Sequence, residues 1–202
     1  MVDEKNEQKI KLKKADEFYQ KGLDYGKESD FDGAIECMQK TVELNPNHFE
    51  GWYNLGNAYD IGRGDLEHAI ECWKKALELK PDDVDVLYNM GNAYREHKEF
   101  EKAIECYKKA VDINPKDHEA WNNMANAYNG KGDSDQAIEH WKKALEIKPT
   151  KYETWYNLGI AYKELGKFDL AIECCKKIQE KYPDSYEVKR LLDAINKEKE
   201  RA

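Results

Sequence analysis

Along this chain, apolar positions recur at helical spacing, and the pattern resets about every 34 residues. Trp52, Leu55, Gly56 and Tyr59 fall at i, i+3, i+4 and i+7, one face of an α-helix. After a turn, Ala69, Trp73, Ala76 and Leu77 make a second face at i, i+4, i+7 and i+8. Pro81 ends that helix, because it lacks an N–H and biases Lys80 away from helical angles. Its counterparts are Pro46, Pro115, Pro149 and Pro183, and the five are spaced 35, 34, 34 and 34 residues apart. Ala34, Ala69, Ala103, Ala137 and Ala171, each opening an Ala-Ile-Glu triplet, keep the same spacing. Two independent markers on one period predict five helix-pair repeats: 15–48, 49–83, 84–117, 118–151 and 152–185. The second holds one extra residue, within Ile61-Gly62-Arg63-Gly64-Asp65.

Small residues have a packing reason. Gly22, Gly56, Gly91, Ala125 and Gly159 recur on the first-helix apolar face and let the two helices of a pair approach closely. Large residues fill the spaces between: Phe18, Trp52, Leu87, Trp121 and Trp155, then Tyr25, Tyr59, Tyr94, Tyr128 and Tyr162. Gly132 and Gly166 suit left-handed caps at the ends of first helices. Lys98 stands at that place in the third repeat, which predicts a less sharply defined turn there.

The run Trp52-Tyr53-Asn54-Leu55-Gly56-Asn57-Ala58-Tyr59 resembles the W-x-x-L-G-x-x-Y signature of the tetratricopeptide repeat, and Trp155 to Tyr162 repeats it. With the later Ala and Pro markers, the resemblance covers 15–185. The first repeat departs most, with Phe18, Lys21 and Thr41, and the fourth carries Met124-Ala125 for Leu-Gly. The resemblance implies an all-α fold, a right-handed α-solenoid or superhelix of antiparallel helix pairs. An array needs a lid on its last repeat. Val188, Leu191, Leu192 and Ile195 supply an apolar stripe for a capping helix over 186–202, with Arg190, Asn196, Lys197 and Glu200 opposite. Residues 1–14 are mostly charged and are read as an extension, helical or frayed.

Composition narrows the function. With 37% charged residues, 40% hydrophobic ones and a formal net charge of -8, the chain lacks the run of about 18 apolar residues that a membrane span needs. Its carboxylates disfavour nucleic acid as a partner. The opening residues lack a signal-peptide core, and the five Cys are odd in number without a C-x-x-C pair, so a cytoplasmic setting without disulfides is expected. Cys37, Cys72, Cys106, His140 and Cys174 form a lane, but successive repeats sit roughly 10 Å apart, too far for shared ligation at about 2.0–2.3 Å. No metal or cofactor is implied, and no arrangement of nucleophile, base or phosphate loop points to an enzyme. Arg63-Gly64-Asp65 resembles a cell-adhesion tripeptide and is read as the widened turn.

Opposite the apolar face of each first helix, four further lanes recur, and the interior does not call for them. One is acidic: Asp16, Glu50, Asp85, Glu119 and Glu153. The next is mostly Tyr: Tyr19, Tyr53, Tyr88, Asn122 and Tyr156. The third is Gln20, Asn54, Asn89, Asn123 and Asn157, and the fourth Leu23, Asn57, Asn92, Asn126 and Ile160. In tetratricopeptide arrays the first helices line a concave surface that commonly holds an extended peptide, so the resemblance implies that these lanes line a groove. An Asn side chain offers a donor and an acceptor and can hold a peptide backbone without reading its side chains. The carboxylates would favour Lys or Arg on the ligand, and the Tyr rings offer cation–π faces. The same carboxylates also complement the helix dipole without any ligand. A clamp for the terminal carboxylate of heat-shock proteins is set aside, since Asp85, Glu119 and Glu153 would repel it. The expected partner is another protein or peptide, extended and basic or polar. The alternative is a structural scaffold that self-associates weakly or assembles a complex through its convex face and ends, with residues 1–14, which carry five Lys against three acids, as a docking segment.

Overall fold

A computed structural model gives the backbone for residues 2–201 and the side chains for 4–201. Among the described residues there are eleven α-helices and no strand. They are α1 Val2–Lys27, α2 Phe31–Leu44, α3 Phe49–Arg63, α4 Leu66–Leu79, α5 Val84–Glu96, α6 Phe100–Ile113, α7 His118–Lys131, α8 Ser134–Ile147, α9 Tyr152–Glu164, α10 Phe168–Gln179 and α11 Tyr186–Lys199. This is an all-α helix-pair repeat architecture. The chain divides into two compact parts, Met1–Ala93 and Tyr94–Ala202, with the division inside α5.

The turns obey one local rule. Between the first and second helix of each pair, a single residue takes a left-handed conformation: Ser29 (φ 61°), Gly64 (61°), Lys98 (60°), Gly132 (92°) and Gly166 (68°). The next amide then bonds back to a Tyr carbonyl, as Asp30 N does to Tyr25 O (2.9 Å), Glu99 N to Tyr94 O (2.8 Å) and Asp133 N to Tyr128 O (2.9 Å). In the second repeat Asp65 N reaches Tyr59 O at 3.0 Å, one residue further back, so the extra residue is absorbed in the last turn of α3. Lys98 corrects the sequence reading: its turn has the same bonds and hand as the glycine turns. The surrounding helices impose the geometry and the Lys backbone bears the strain. Asp30, Asp65 and Asp133 cap the second helices with their side chains, whereas Glu99 and Lys167 make no such bond.

Between repeats, each Pro sits second in a four-residue turn, for instance His48 N to Asn45 O (3.0 Å) and Ser185 N to Tyr182 O (3.2 Å). The Trp indoles tie the following helix to that turn. Trp52, Trp121 and Trp155 donate Nε1–H to the carbonyls of Pro46, Pro115 and Pro149 at 2.8, 2.9 and 2.8 Å.

In the part Met1–Ala93, α1, α2, α3 and α4 pack in sequence. A Cβ on Gly56 would lie 2.5 Å from Trp73 Nε1, so only glycine lets the Trp73 indole pass beneath α3. In the part Tyr94–Ala202, α6 to α11 pack likewise, and α7 to α11 share a core that includes Trp141, Leu158, Ala171, Cys175, Ile178, Val188 and Ile195. Val188, Leu191 and Ile195 of α11 are buried, as expected of a lid. Upstream of Ala15, α1 continues as helix with residues 4–14 exposed, and Ile10 is half exposed.

Candidate functional site

The four polar lanes all lie on the first helices, and the structure shows what holds them. In the part Met1–Ala93, Asn54 Nδ2 donates to the Tyr19 hydroxyl at 3.1 Å. Asn89 Nδ2 donates to Asn57 Oδ1 at 3.1 Å and to the Tyr53 hydroxyl at 3.4 Å. Asn57 Oδ1 also accepts from the buried Trp73 indole at 3.2 Å. The part Tyr94–Ala202 repeats the pattern: Asn126 Oδ1 accepts from Trp141 Nε1 (3.0 Å) and from Asn157 Nδ2 (3.2 Å). Asn122 Oδ1 accepts from Thr154 at 2.9 Å, while its Nδ2 reaches Asn123 Oδ1 at 3.3 Å.

This corrects one expectation. Asn57 and Asn126 do serve the interior, because a buried indole N–H needs an acceptor and the second-helix Trp finds it there. The Tyr and Asn side chains of the lanes are half-buried rather than bare, Tyr53, Tyr88, Asn92, Asn123 and Tyr156 included, whereas Gln20 and the whole acidic lane are exposed. Burial together with the charge of Glu50 raises the Tyr19 phenol above its ordinary pKa, against the smaller lowering by the Asn54 bond.

The acidic lane divides in two. Glu50 pairs with Lys80 at 3.1 Å and Glu119 with Lys151 at 3.1 Å. Glu50 is held below the usual carboxylate range by its own backbone N–H and by Lys80, and Glu119 by Lys151. Asp85 and Glu153 are exposed and make no ion pair among the described residues. Asp16 faces the His48 ring at 3.8 Å.

Residues outside the predicted lanes complete the face. Phe49 and Tyr53 stack in parallel with centroids 6.3 Å apart, and Lys80 Nζ sits 3.7 Å from the Phe49 centroid. Tyr152 and Tyr156 stack likewise at 6.0 Å, and Tyr182 meets Tyr152 edge-on at 5.6 Å. Beside them lies an open hollow of about 740 Å³, also lined by Lys181, Asp184, Ser185 and Glu187. The sequence signal for Lys80 and Tyr182 was the position before each Pro, where Asn45, Lys80, Asn114, Lys148 and Tyr182 alternate in character.

The other singled-out features are structural. Arg63 binds Asp32 Oδ1 at 3.0 and 2.6 Å through Nε and Nη2, and Asp65 caps α4 and bonds His68 Nδ1 at 2.7 Å, so the tripeptide is part of the turn. The cysteines are free and buried, with burial raising Cys72 and Cys174 to about 12 and Cys106 and Cys175 to about 11. His140 lies between the rings of Trp121 (5.4 Å) and Tyr128 (5.1 Å). Burial, then the charge of Lys143, lowers its pKa. Among the described residues, no group of three or more His, Cys, Asp or Glu is placed to hold a metal, and no helix is long and apolar enough to cross a membrane.

Helix pairs of this length, joined by these turns and carrying a polar first-helix face, define a repeat-scaffold class of protein. Tetratricopeptide repeat models match 18–48, 37–71, 84–117, 106–139 and 152–185, and a TPR repeat model matches 62–97 and 125–166. The chain belongs to the tetratricopeptide repeat family, whose members are characteristically non-catalytic scaffolds. The crystal structure of MamA is similar, with 31% identity and a TM-score of 0.77 over 80% of this chain and 94% of that one. YrrB, described as a TPR protein with an unusual peptide-binding site, shares the fold at 21% identity and a TM-score of 0.75, over 86% of this chain and 89% of its own. An uncharacterized protein of Methanocaldococcus jannaschii is 38% identical over 50 residues; the match spans 25% of this chain and only 58% of that relative's length.

Proposed function

We propose that the chain is a protein-binding scaffold that holds an extended, basic or polar segment of another protein against its first-helix faces, in a cytoplasmic setting consistent with five free cysteines. The observation that supports this most is the polar lining fixed in advance. Asn54, Asn89 and Asn157 are oriented through Nδ2 by their neighbours, so their Oδ1 atoms can accept peptide N–H groups with little loss of side-chain freedom on binding. Asn57 and Asn126 each already accept two bonds through Oδ1 and act as supports, while Asn92 and Asn123 continue the lanes. Tyr53, Tyr88 and Tyr156 offer ring faces to a cationic side chain. Glu50 and Glu119 are already paired, which leaves Asp85 and Glu153 as the carboxylates for a basic ligand.

A peptide array probed with the full chain tests the reading. Selected peptides should be basic or polar, their affinity should fall as salt rises, and Asp85→Asn with Glu153→Gln should weaken them about two- to tenfold together. Absence of any selective peptide would defeat the reading. One observation favours a second reading, self-association: the exposed helical turns over 4–14, which carry Ile10 and a lysine excess. Light scattering on the full chain and on a chain lacking 1–14 decides it, since a monomer in both removes it.

A further inference from the structure

We infer that the hollow of the last repeat lined by Tyr152, Tyr156 and Tyr182, with Glu153 adjoining Tyr152 in the chain, is a receptor for a primary ammonium, as carried by a lysine side chain of a bound protein segment. The second repeat shows the chemistry within this same molecule. There Phe49 and Tyr53 stack, Glu50 follows Phe49, and Lys80, the residue before Pro81, lays its ammonium 3.7 Å from the Phe49 centroid and 3.1 Å from Glu50 Oε1. The cation therefore rests on a ring face and beside a carboxylate at once, which satisfies both the ring quadrupole and the charge.

The last repeat keeps the acceptor and loses the cation. Tyr152 and Tyr156 stack at 6.0 Å, and Glu153 follows Tyr152 as Glu50 follows Phe49. The residue before Pro183 is Tyr182, however, and it turns its ring edge-on to Tyr152 at 5.6 Å instead of supplying an ammonium. Glu153 is exposed without an ion pair among the described residues, and the hollow of about 740 Å³ opens at these rings. Tyr182 thus adds a third wall where repeat two has its lysine.

The surrounding charges allow a cation. Glu187 lies on the lining and stays ionised, through its own backbone N–H first and then the Ser185 hydroxyl. Asp184 is paired with Lys189 at 3.0 Å. The opposing charge is Lys181, whose Nζ is 5.4 Å from the Tyr182 centroid, so the incoming ammonium takes the Tyr152 side.

This deepens the proposed function and rests on it only for the source of the lysine. The test therefore uses small probes on the full chain. Acetyl-Gly-Lys-Gly-amide and its Nε-acetyl counterpart are titrated while the ring resonances of Tyr152, Tyr156 and Tyr182 are followed by NMR. The lysine probe should move these resonances saturably, and the acetylated probe should bind about fivefold more weakly or not at all. Glu153→Gln, a surface change, should weaken the lysine probe about threefold, and Lys181→Gln should strengthen it. Tyr182→Lys, which restores the arrangement of repeat two, should abolish the response with the thermal midpoint retained. Equal shifts from both probes, or none from either, overturn the inference. If the hollow binds lysine but the array finds no peptide, the receptor stands and the wider reading falls.

Discussion

Asn126 shows how one side chain joins the candidate face to the interior. Its Oδ1 accepts from the Trp141 indole at 3.0 Å, and Trp141 is fully buried. Asn126→Ala leaves the N–H of a buried indole without its acceptor, so urea unfolding should show a loss of about 1–3 kcal/mol. Asn157→Ala removes only a half-buried partner of the same oxygen and should cost less. Equal costs would mean that the Trp141 bond contributes little. His140 sets a second expectation at this scale. Its neutral form is favoured by burial between Trp121 and Tyr128 and by Lys143, against the smaller pull of Glu139 and Asp133. A base with a lowered folded-state pKa binds fewer protons folded than unfolded, so stability falls as pH drops through the ordinary histidine value of about 6.5 and levels off below the folded value. Thermal midpoints from pH 8 to 5 should fall less in His140→Cys, which installs the residue the other repeats carry there. An unchanged profile in that variant counts against the role.

Among the elements, the turns separate what the pattern of residues could say from what it could not. Periodicity placed the helices, because each buries one stripe and each Pro ends a second helix. It also marked Gly56 as a close approach, which the 2.5 Å that would separate a Cβ there from Trp73 Nε1 bears out. The Trp52 bond to Pro46 and the Lys80 bond to Glu50 were hidden, since they depend on the rotation of one helix relative to the next turn. The lanes were legible as lanes, but the hydrogen bonds that half-bury them were not, because spacing alone does not reveal which neighbour an amide meets. Lys98 differs from its reading for a related reason: the residue suggests a less sharply defined turn, while the bonds of Lys98 N to Arg95 O and Glu99 N to Tyr94 O form the same one. Lys98→Gly should therefore stabilise the chain by about 1 kcal/mol, the cost of a left-handed Cβ being removed, readable as a higher urea midpoint with unchanged m. An unchanged or lower midpoint would mean that the lysine bears no strain.

Over the whole molecule, stability should be local, because in a repeat protein each pair gains its burial from its neighbours alone. The lid makes this testable. Ile195 is fully buried in the cluster with Leu158, Cys175 and Ile178, and a Cβ on Gly159 would lie 3.6 Å from Leu191 of the same helix. Ile195→Ala should cost about 2–5 kcal/mol in the pairs that α11 covers. Native-state hydrogen exchange should then show faster opening of amides in α9, α10 and α11, while α1, α2 and α3 in the part Met1–Ala93 keep their protection. A uniform loss across both parts would instead show that the array opens as one cooperative body. In that case a lysine bound at Tyr152 would stabilise every repeat equally. If stability is local, the same ligand protects the last repeat and the lid alone, so its footprint in exchange also locates the site.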